Sequence, residues 1–378
     1  MAGTSPVLGV ANADARSYRG NVTTVDLEAA AWRIAHSGYS VEAAFAEFDQ
    51  LLRSQIPYVV ACWTTLDPAT GLFTTTTLTG APRDRATEKR LYECEFREQE
   101  PSNFLSLLER SRSTAILSEV TGGDLGRASR FEVFGPMGVT DELRAVLSVD
   151  GVAWGTAAIL RVGGHFGLGD VRAVRTIARH AADAVRLALL RGAAGRPEVV
   201  NEPPGVFTVE ADGTVAAMTA SAQGWAIRAG SGLEYAVQTV ATAIRERPGI
   251  AGATSRVVAP DGNVLTLHAS AMVGDSESVA VIVDRARPAE VTSLLVDAYG
   301  LTHRQRDVLG RILLGRPITQ LAHSLGMSEH TAHDHRKAIY RRMGVSSRSE
   351  LAALLQFEQY DPRVWTDVPP SPYGGCLE

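Results

Sequence analysis

Two glycines divide the apolar periodicity of residues 301–356, and this division constrains the fold of that segment more than any other feature. Apolar residues recur at helical spacing before Gly315, between the two glycines, and again after Ser328, which follows Gly326 closely. Thr302 and Ser328 are placed to accept backbone hydrogen bonds at the start of helices. The pattern predicts four helices, in which a short helix, a glycine turn and a longer basic helix form a helix-turn-helix.

The third of these helices has two chemically different faces. Its apolar side, at spacings of three and four residues, carries Ala332, His335, Ile339 and Met343. Its polar side carries His330, His333, Asp334, Lys337 and Arg341, with Arg336, Tyr340 and Arg342 on the flanks. A polar face about 22 Å long, at 1.5 Å per residue, fits the major groove of DNA. His335 is open to two interpretations, a packed and hydrogen-bonded side chain or a phosphate contact.

The charge of the chain is unevenly distributed. Residues 299–356 hold nine arginines or lysines and four acids, a net +5, so the remainder of a chain with net charge −5 carries −10. A basic module on an acidic body is typical of a DNA-binding domain attached to other domains. The alternative is a solvated charged helix surface with no nucleic-acid partner.

The segment 301–351 resembles the LuxR/GerE-type DNA-binding domain. The residues that carry the resemblance are Leu301, Thr302, Arg304, Val308, Leu309, Gly315, Leu321, Ala322, Leu325, Ser328, Thr331, His335, Met343, Gly344, Val345, Ser347 and Arg348. The resemblance implies that Thr331, Lys337 and Arg348 contact DNA and that positions 333 and 334 face bases. It also implies that the last helix pairs two copies through Leu351, Leu354 and Leu355. Three positions depart from the family pattern: His333 replaces a frequent basic residue, Asp334 an apolar residue, and Gln305 a glutamate.

From the residues and the resemblance together, we predict one DNA-binding set. It consists of Ser328, Thr331, His333, Asp334, Arg336, Lys337, Arg341 and Arg348. For Asp334, two roles stay open: it accepts a hydrogen bond from a cytosine, or it pairs with Lys337 one turn along the helix.

The preceding residues predict two α+β domains. Helical periodicity at 24–56 and 169–190 encloses two hairpin patterns, and GPMGVTDELRAVLSVDGVAWGTAAILR resembles part of a GAF-like sensor. The next 80 residues predict two strands, two helices and three strands, an order that resembles a PAS-like domain. The predicted organisation is therefore a multidomain chain: a GAF-like α+β domain at 24–191, a linker at 192–204, a PAS-like α+β domain at 205–286, an all-α four-helix LuxR-type helix-turn-helix domain at 292–357, and a flexible tail at 358–378.

A GAF or PAS resemblance implies a ligand cavity between sheet and helices. We name four aromatic residues as candidates to line it, Trp63, Phe131, Phe134 and Trp154, with ordinary core packing as the alternative. No cofactor is expected, because residues 205–285 lack the cysteine of a photoactive flavin site and offer a haem only His268 in mid-strand. The cysteines and histidines have no zinc-site spacing, and the acid pairs lack a partnered base or nucleophile, so no metal or catalytic residue is predicted.

The positions of the lysines and the absence of long apolar runs exclude several other classes of protein. The two lysines, Lys89 and Lys337, have neither the Walker A setting nor that of a phospho-receiver domain. We find no signal peptide and no apolar run near the ~18 residues of a membrane helix, and three separated cysteines favour a reducing cytoplasm. We therefore predict a cytoplasmic, non-enzymatic, homodimeric transcription regulator that binds double-stranded operator DNA and responds to a small-molecule effector. The alternative is an enzyme or scaffold whose helical domain binds a protein such as RNA polymerase.

Overall fold

The computed structural model describes residues 24–82, 84–96, 100–110, 113–194, 202–247, 249–274 and 278–357. The predicted tail at 358–378 lies outside the described residues, as does 195–201 of the predicted linker. Within the described part of the chain, no helix combines the length and the apolar character needed to cross a membrane.

In the described residues, the first α+β unit has five strands and seven α-helices. Its helices are α1 (Thr24–Ala35), α2 (Val41–Arg53), α3 (Arg85–Phe96), α4 (Phe104–Glu109), α5 (Leu117–Val120), α6 (Phe131–Phe134) and α7 (Leu168–Ala194). Its strands are β1 (Val60–Leu66), β2 (Phe73–Thr79), β3 (Thr114–Ile116), β4 (Asp141–Val149) and β5 (Val152–Arg161). The two predicted hairpins are present as β1–β2 and β4–β5, and Asp150 forms the second turn with a φ of 51°.

The strands of this unit form one antiparallel sheet in the order β2-β1-β5-β4-β3. Helices α1, α2 and α7 cover one face, where residues such as Phe45, Phe48 and Ile177 form a core with the sheet. Alternation along β1 sends Ala61 and Trp63 to this helical face and Cys62 to the opposite face. The second face is covered by α3, α4 and α6, and these helices enclose a cavity against the sheet.

The second α+β unit repeats this strand order. Its elements are β6 (Gly205–Val209), β7 (Val215–Met218), α8 (Ala220–Ala229), α9 (Ser231–Glu246), β8 (Ala253–Val258), β9 (Val264–Ala271) and β10 (Val279–Arg285). The antiparallel sheet runs β7-β6-β10-β9-β8, with α8 and α9 packed on one face. Both units therefore have the α+β character that the order of elements predicts.

The remaining described residues are helical. They form α10 (Pro288–Ala298), α11 (His303–Leu313), α12 (Ile318–Ser324), α13 (Glu329–Met343) and α14 (Arg348–Ala352), which ends in a π-helical turn at Ala353–Phe357. The apolar residues Val308, Leu321, Ile339 and Leu351 meet in their core, which is continuous with the core around α7. The carbonyl of Ala298 accepts a hydrogen bond of 3.0 Å from Arg186 of α7, so α10 is anchored to the first unit.

The residues predicted to pair two copies are used inside a single chain. Leu351 and Leu355 are 0% exposed, and the Leu355 carbonyl accepts a hydrogen bond from the Thr292 hydroxyl of α10. The apolar stripe of α7 from Val171 to Val185 is likewise buried, against α1, α2 and the sheet. Neither stripe therefore presents an exposed surface to a second copy.

A buried ion pair joins all three parts of the chain. Asp67, in the β1–β2 turn, lies 2.5 Å from the guanidinium of Arg256 on β8, and the two side chains are 1% and 6% exposed. The Arg256 backbone N–H also donates to Asp67 at 2.9 Å. The third contact goes to α10, where the carbonyl of Glu290 accepts from Arg256 Nη1 at 2.9 Å. One arginine thus connects the first unit, the second unit and the helix that leads into the C-terminal domain.

We expect Asp67→Asn to lower the free energy of unfolding by about 3–5 kcal/mol, because it leaves the buried Arg256 guanidinium without its counter-charge. The matched control is Asp307→Asn, which removes an exposed partner of Arg304 at 3.8 Å and should cost less than about 1 kcal/mol. Denaturant unfolding of the two variants and the wild type, followed by circular dichroism, measures both costs. Equal stability of the two variants would contradict the structural importance of this pair.

Candidate nucleic-acid interface and sensor cavity

Local sequence determines where the exposed helix α13 begins and ends. Gly326 has a φ of 61°, a left-handed conformation that glycine adopts without steric cost, and it turns the chain after α12. Ser328 then accepts the Thr331 N–H at 3.1 Å, as predicted for the N-cap. Gly344, with a φ of 67°, ends the helix.

The two faces of α13 are separated as the periodicity predicts. Ala332, Ile339 and Met343 are between 0% and 4% exposed and pack into the core with α11 and α12. His335 lies half-buried at the edge of this side. Because the apolar stripe anchors the helix, the opposite face is held rigidly toward solvent.

The polar face is open along its length. Ser328, Thr331, Asp334, Lys337 and Arg341 are exposed, while His333 and Arg336 are half-buried. Arg348, at the start of α14, is also exposed and lies on the same domain. A Cβ on Gly315 would come 2.7 Å from an Arg348 guanidinium nitrogen, so a glycine at 315 gives that arginine its space.

Two contacts order polar side chains along α13. The Asp334 carboxylate lies 3.5 Å from Nε2 of His330, one turn earlier, and both side chains are well exposed. The intrahelical partner of Asp334 is thus His330, whereas the sequence interpretation named Lys337. Nδ1 of His333 lies 3.0 Å from the Arg336 guanidinium. On the flank, Arg342 donates to the carbonyl of Gly300 and is thereby held against the start of its own domain.

The second site is a cavity of about 520 Å³ on the sheet face opposite α1, α2 and α7. Most of its wall is apolar and comes from β1, β2, β5, α3 and the segment after α6, with residues such as Leu78, Leu91, Met137, Val139 and Leu160. Threonine and cysteine side chains, Cys62, Thr64 and Thr76, form a polar patch on the sheet, where Cys62 Sγ lies 3.2 Å from the Thr76 hydroxyl oxygen. This volume lies within the range of roughly 300–1,000 Å³ that small-molecule sites occupy.

Charged side chains at one end of the cavity are paired with one another. Glu142 accepts from Arg130 at 2.6 Å and from Arg144 at 2.8 Å, and Arg144 also lies 2.5 Å from Glu95. Glu100 completes the network by accepting from Arg130 at 2.9 Å. All five residues are at most 5% exposed. Burial by itself raises the pKa of Glu142, but the charges of Arg130 and Arg144 outweigh it and hold that pKa below its ordinary value.

Of the four aromatic residues predicted for a pocket, the structure places one on the cavity wall. Phe134 lines the cavity, and Phe131 packs edge-on against Phe134 with ring centroids 5.8 Å apart. Trp63 lies on the opposite sheet face, where Phe45 stacks on it and its indole N–H reaches Asp49 at 3.4 Å. Trp154 is also in that core, because the bulge between Leu147 and Ser148 shifts the register of β5 and turns its ring to the helical side.

Several cavity residues were not predicted from the sequence. The consecutive threonines of LFTTTTLTG carried a usable signal, because they place polar side chains on both faces of the strand, and a polar side chain on a covered face needs a partner or a cavity. Tyr92 and Tyr235 carried no such signal, since they come from helices of different units.

The part of the chain that the structure describes contains no candidate metal site. No group of three or more histidine, cysteine or acidic side chains comes together there in a way that could hold an ion. Cys62 lies on the cavity wall and Cys94 is buried. His268 is exposed on β9, with Nδ1 3.2 Å from the Thr254 hydroxyl oxygen.

Comparison with known proteins places the C-terminal helices in a family. Residues 300–355 match the family model "GerE: Bacterial regulatory proteins, luxR family". These residues form a LuxR-family helix-turn-helix domain. Over 51 residues, the chain is 39% identical to the "Transcriptional regulatory protein MctR" of Rhizobium johnstonii (strain DSM 114642 / LMG 32736 / 3841), a match that covers 14% of this chain and 24% of that relative.

Comparison with solved structures gives a weaker likeness. A bacteriophytochrome crystal structure, RpBphP3 from R. palustris, aligns with 72% of this chain and 64% of its own at 10% identity, with a TM-score of 0.31. A TM-score of this size supports no conclusion about fold or function. The α+β character of the first two units therefore rests on their own sheets and helices.

We expect Glu142→Gln to lower the free energy of unfolding at neutral pH by about 3–5 kcal/mol, because two buried guanidinium groups lose their shared carboxylate. The sign of the pH dependence follows from the lowered pKa. Glu142 contributes stability above its ordinary pKa of about 4.3, and the wild type loses this contribution as the pH falls through the lower folded value.

The glutamine variant lacks this part of the acid destabilisation, so its stability should vary less with pH below about 4.3. Denaturant unfolding across acid pH measures the difference. Glu132→Gln, which removes the exposed partner of Arg90, is the control and should follow the wild type closely. Parallel pH curves for Glu142→Gln and the wild type would refute the assignment.

Proposed function

We propose that this protein is a DNA-binding transcription regulator whose α13 reads operator DNA in the major groove. The observation that carries the proposal is the exposed polar face of α13, within a domain that matches the LuxR family. The exposed cations Lys337, Arg341 and Arg348 can meet phosphates, while Thr331, His333 and Asp334 stand where base edges would lie. Ser328 and Arg336 complete the proposed interface.

The charge distribution supports the same proposal. A module of net +5 on a body of net −10 attracts the DNA backbone locally, while the acidic body opposes unspecific contact elsewhere. On this proposal the protein acts in the cytoplasm as a regulator and not as an enzyme.

The first two units serve in this proposal as GAF-like and PAS-like sensors. Support comes from two antiparallel sheets with the same strand order and from the cavity of about 520 Å³ in the first of them. The proposed effector is a small molecule held in that cavity. The effect of ligand binding would be transmitted to the LuxR-family domain through the shared core of α7 and α10 and through Arg256.

Two copies are proposed to bind two half-sites about one helical turn, ~34 Å, apart. The core of each copy buries Leu351, Leu355 and the valines of α7, so another surface makes the contact between the two copies. The contact between copies is expected among the accessible residues beside these cores, of which the half-buried Leu354 is one.

Lys337→Ala in the full chain tests the phosphate contacts. DNA binding should weaken for every sequence, and the slope of log K against log salt, expected near −4 to −5 per copy for roughly five phosphates, should become shallower by about 1. Arg172→Ala, an exposed site on α7 with the same charge change, is the control and should behave as the wild type.

Fluorescence anisotropy with a labelled promoter fragment gives affinity and slope, and light scattering of the complex counts the protein copies. No salt-dependent binding to duplex DNA by the wild type would exclude the proposed function. It would favour a protein partner such as RNA polymerase for the C-terminal domain.

Asp334 is proposed to read a base. An acid on a DNA-facing surface repels phosphates unless it accepts a hydrogen bond, and the N4 amino group of cytosine is a suitable donor. We therefore expect Asp334→Ala to bind unspecific DNA equally or more tightly while losing discrimination at one base pair by ~1–3 kcal/mol. Selection from a randomised operator library, with wild type and variant in parallel, measures this. Identical base preferences of the two proteins would show that Asp334 reads no base, and its pair with His330 would be its remaining role.

A further inference from the structure

Helix α9 of the second unit closes the cavity of the first. It packs across β2, and a Cβ on Gly232 would come 2.6 Å from the Thr75 methyl carbon, so the helix lies almost in contact with the strand. One turn further, Tyr235 enters the cavity wall and is only 6% exposed. The cavity is therefore formed by two units of the chain.

Tyr235 fits into a polar and aromatic patch of the first unit. Its ring packs edge-on against Tyr92, with centroids 4.9 Å apart and an angle of 88° between the planes. Its hydroxyl reaches the hydroxyls of Thr64 and Thr76. Burial, and to a smaller extent the neighbouring Cys62, raises the pKa of this phenol well above its ordinary value, so Tyr235 is neutral at physiological pH.

The hydroxyl of Tyr92 is the polar atom that this patch leaves unsatisfied. Tyr92 is 5% exposed and lines the cavity, and its hydroxyl has no hydrogen-bond partner among the described residues. An unsatisfied buried hydroxyl is unfavourable, and a ligand with an acceptor oxygen would remove that penalty.

The charges on the wall indicate a neutral ligand. Glu142, Glu95 and Arg144 are paired with one another and with Arg130, and Arg53 pairs with Asp49 at 2.7 Å. Two further acids line the cavity: the exposed Asp84 accepts the Thr87 N–H at 2.8 Å, and the half-buried Glu88 also has an interaction of its own. A ligand carrying a full charge would have to break one of these pairs or remain unpaired in an apolar cavity, and both outcomes are unfavourable. Most of the other lining side chains are aliphatic or aromatic.

We infer that the cavity binds a neutral, largely apolar molecule through a site shared by the two units, in which the ligand accepts a hydrogen bond from Tyr92 and contacts Tyr235 of the second unit. This inference rests on the proposed effector function and adds the class of ligand and the residue by which the second unit meets it. Because one ligand touches both units, its binding strengthens their contact.

Titration of the full chain with Prodan tests this inference. Prodan (6-propionyl-2-dimethylaminonaphthalene) is a neutral, apolar fluorophore with one carbonyl acceptor, and its emission shifts to the blue in an apolar site. The wild type should bind one equivalent with blue-shifted emission. Leu160→Trp, which fills the cavity from β5, should abolish this binding.

Tyrosine variants separate the two contacts. Tyr92→Phe removes only the hydroxyl and should weaken Prodan binding about 5- to 10-fold. Tyr235→Ala removes the contribution of the second unit and should weaken it more than 10-fold. Tyr235→Phe keeps the ring that contacts the ligand, so its affinity for Prodan should stay within about 3-fold of the wild type. This variant keeps the test decisive if the alanine variant fails to fold. Tyr340→Phe, in the LuxR-family domain, is the matched control and should bind as the wild type does.

The outcomes distinguish this inference from the proposed function. No saturable Prodan binding by the wild type, or binding that Leu160→Trp leaves unchanged, overturns the ligand class and the site. Unchanged affinity in Tyr235→Ala overturns the shared site. Native mass spectrometry of the purified full chain provides the separate arm: a charged small molecule retained by the wild type and lost in Leu160→Trp would preserve the proposed effector function and overturn the neutral class.

Discussion

The ion pair between Asp67 and Arg256 is the interaction on which the arrangement of the whole chain depends. Both side chains are buried, and a buried pair is favourable only when several hydrogen bonds fix its geometry. Here the backbone N–H and the guanidinium of Arg256 both donate to one carboxylate, while a further guanidinium N–H reaches the Glu290 carbonyl. The turn after β1, the strand β8 and the helix α10 therefore have little freedom to move independently.

The same arginine gives a physical route between the sensor units and the C-terminal domain. Glu290 caps α10 by accepting the Arg287 N–H, and it also accepts a hydrogen bond from Thr266 of β9. At its other end, α10 is held by Arg186 of α7 and by an ion pair between Asp297 and Arg306 of α11. A displacement of either α+β unit thus acts on a helix that is tied to the LuxR-family domain. This arrangement is the structural basis for the proposal that one chain both senses and regulates.

Within the first unit, the covering of the sheet explains why a cavity persists. On the face of α1, α2 and α7, large residues such as Phe48 and Trp63 fill the space between helices and sheet. On the other face, the strands present threonines beside aliphatic residues such as Leu78 and Leu160, and the covering helices α4 and α6 are one or two turns long. The buried network of Glu95, Glu100, Arg130, Glu142 and Arg144 holds these short helices in place by charge pairing where apolar contact is sparse.

Short-range patterns in the sequence determined the local structure of this protein. The N-cap serine, the left-handed glycines and the spacing of Ala332, Ile339 and Met343 act over a few residues, so they specify α13 and its exposed face without reference to the rest of the chain. The hairpins and the helices of both α+β units followed from the same kind of signal, because strand and helix periods are properties of neighbouring residues. For this reason, the predicted DNA-binding residues of α13 could be placed on one face.

Only the tertiary structure decided which faces are covered and by what. Leu351 and Leu355 have the spacing of a pairing surface, but α10 covers them within the chain. A bulge in β4–β5 turned Trp154 away from the cavity, and a helix from the second unit brought Tyr235 into it. Periodicity shows that a side chain must be buried, but the partner that buries it can lie more than a hundred residues away. That choice depends on the packing of whole units and on buried pairs such as Asp67–Arg256, which no local pattern encodes.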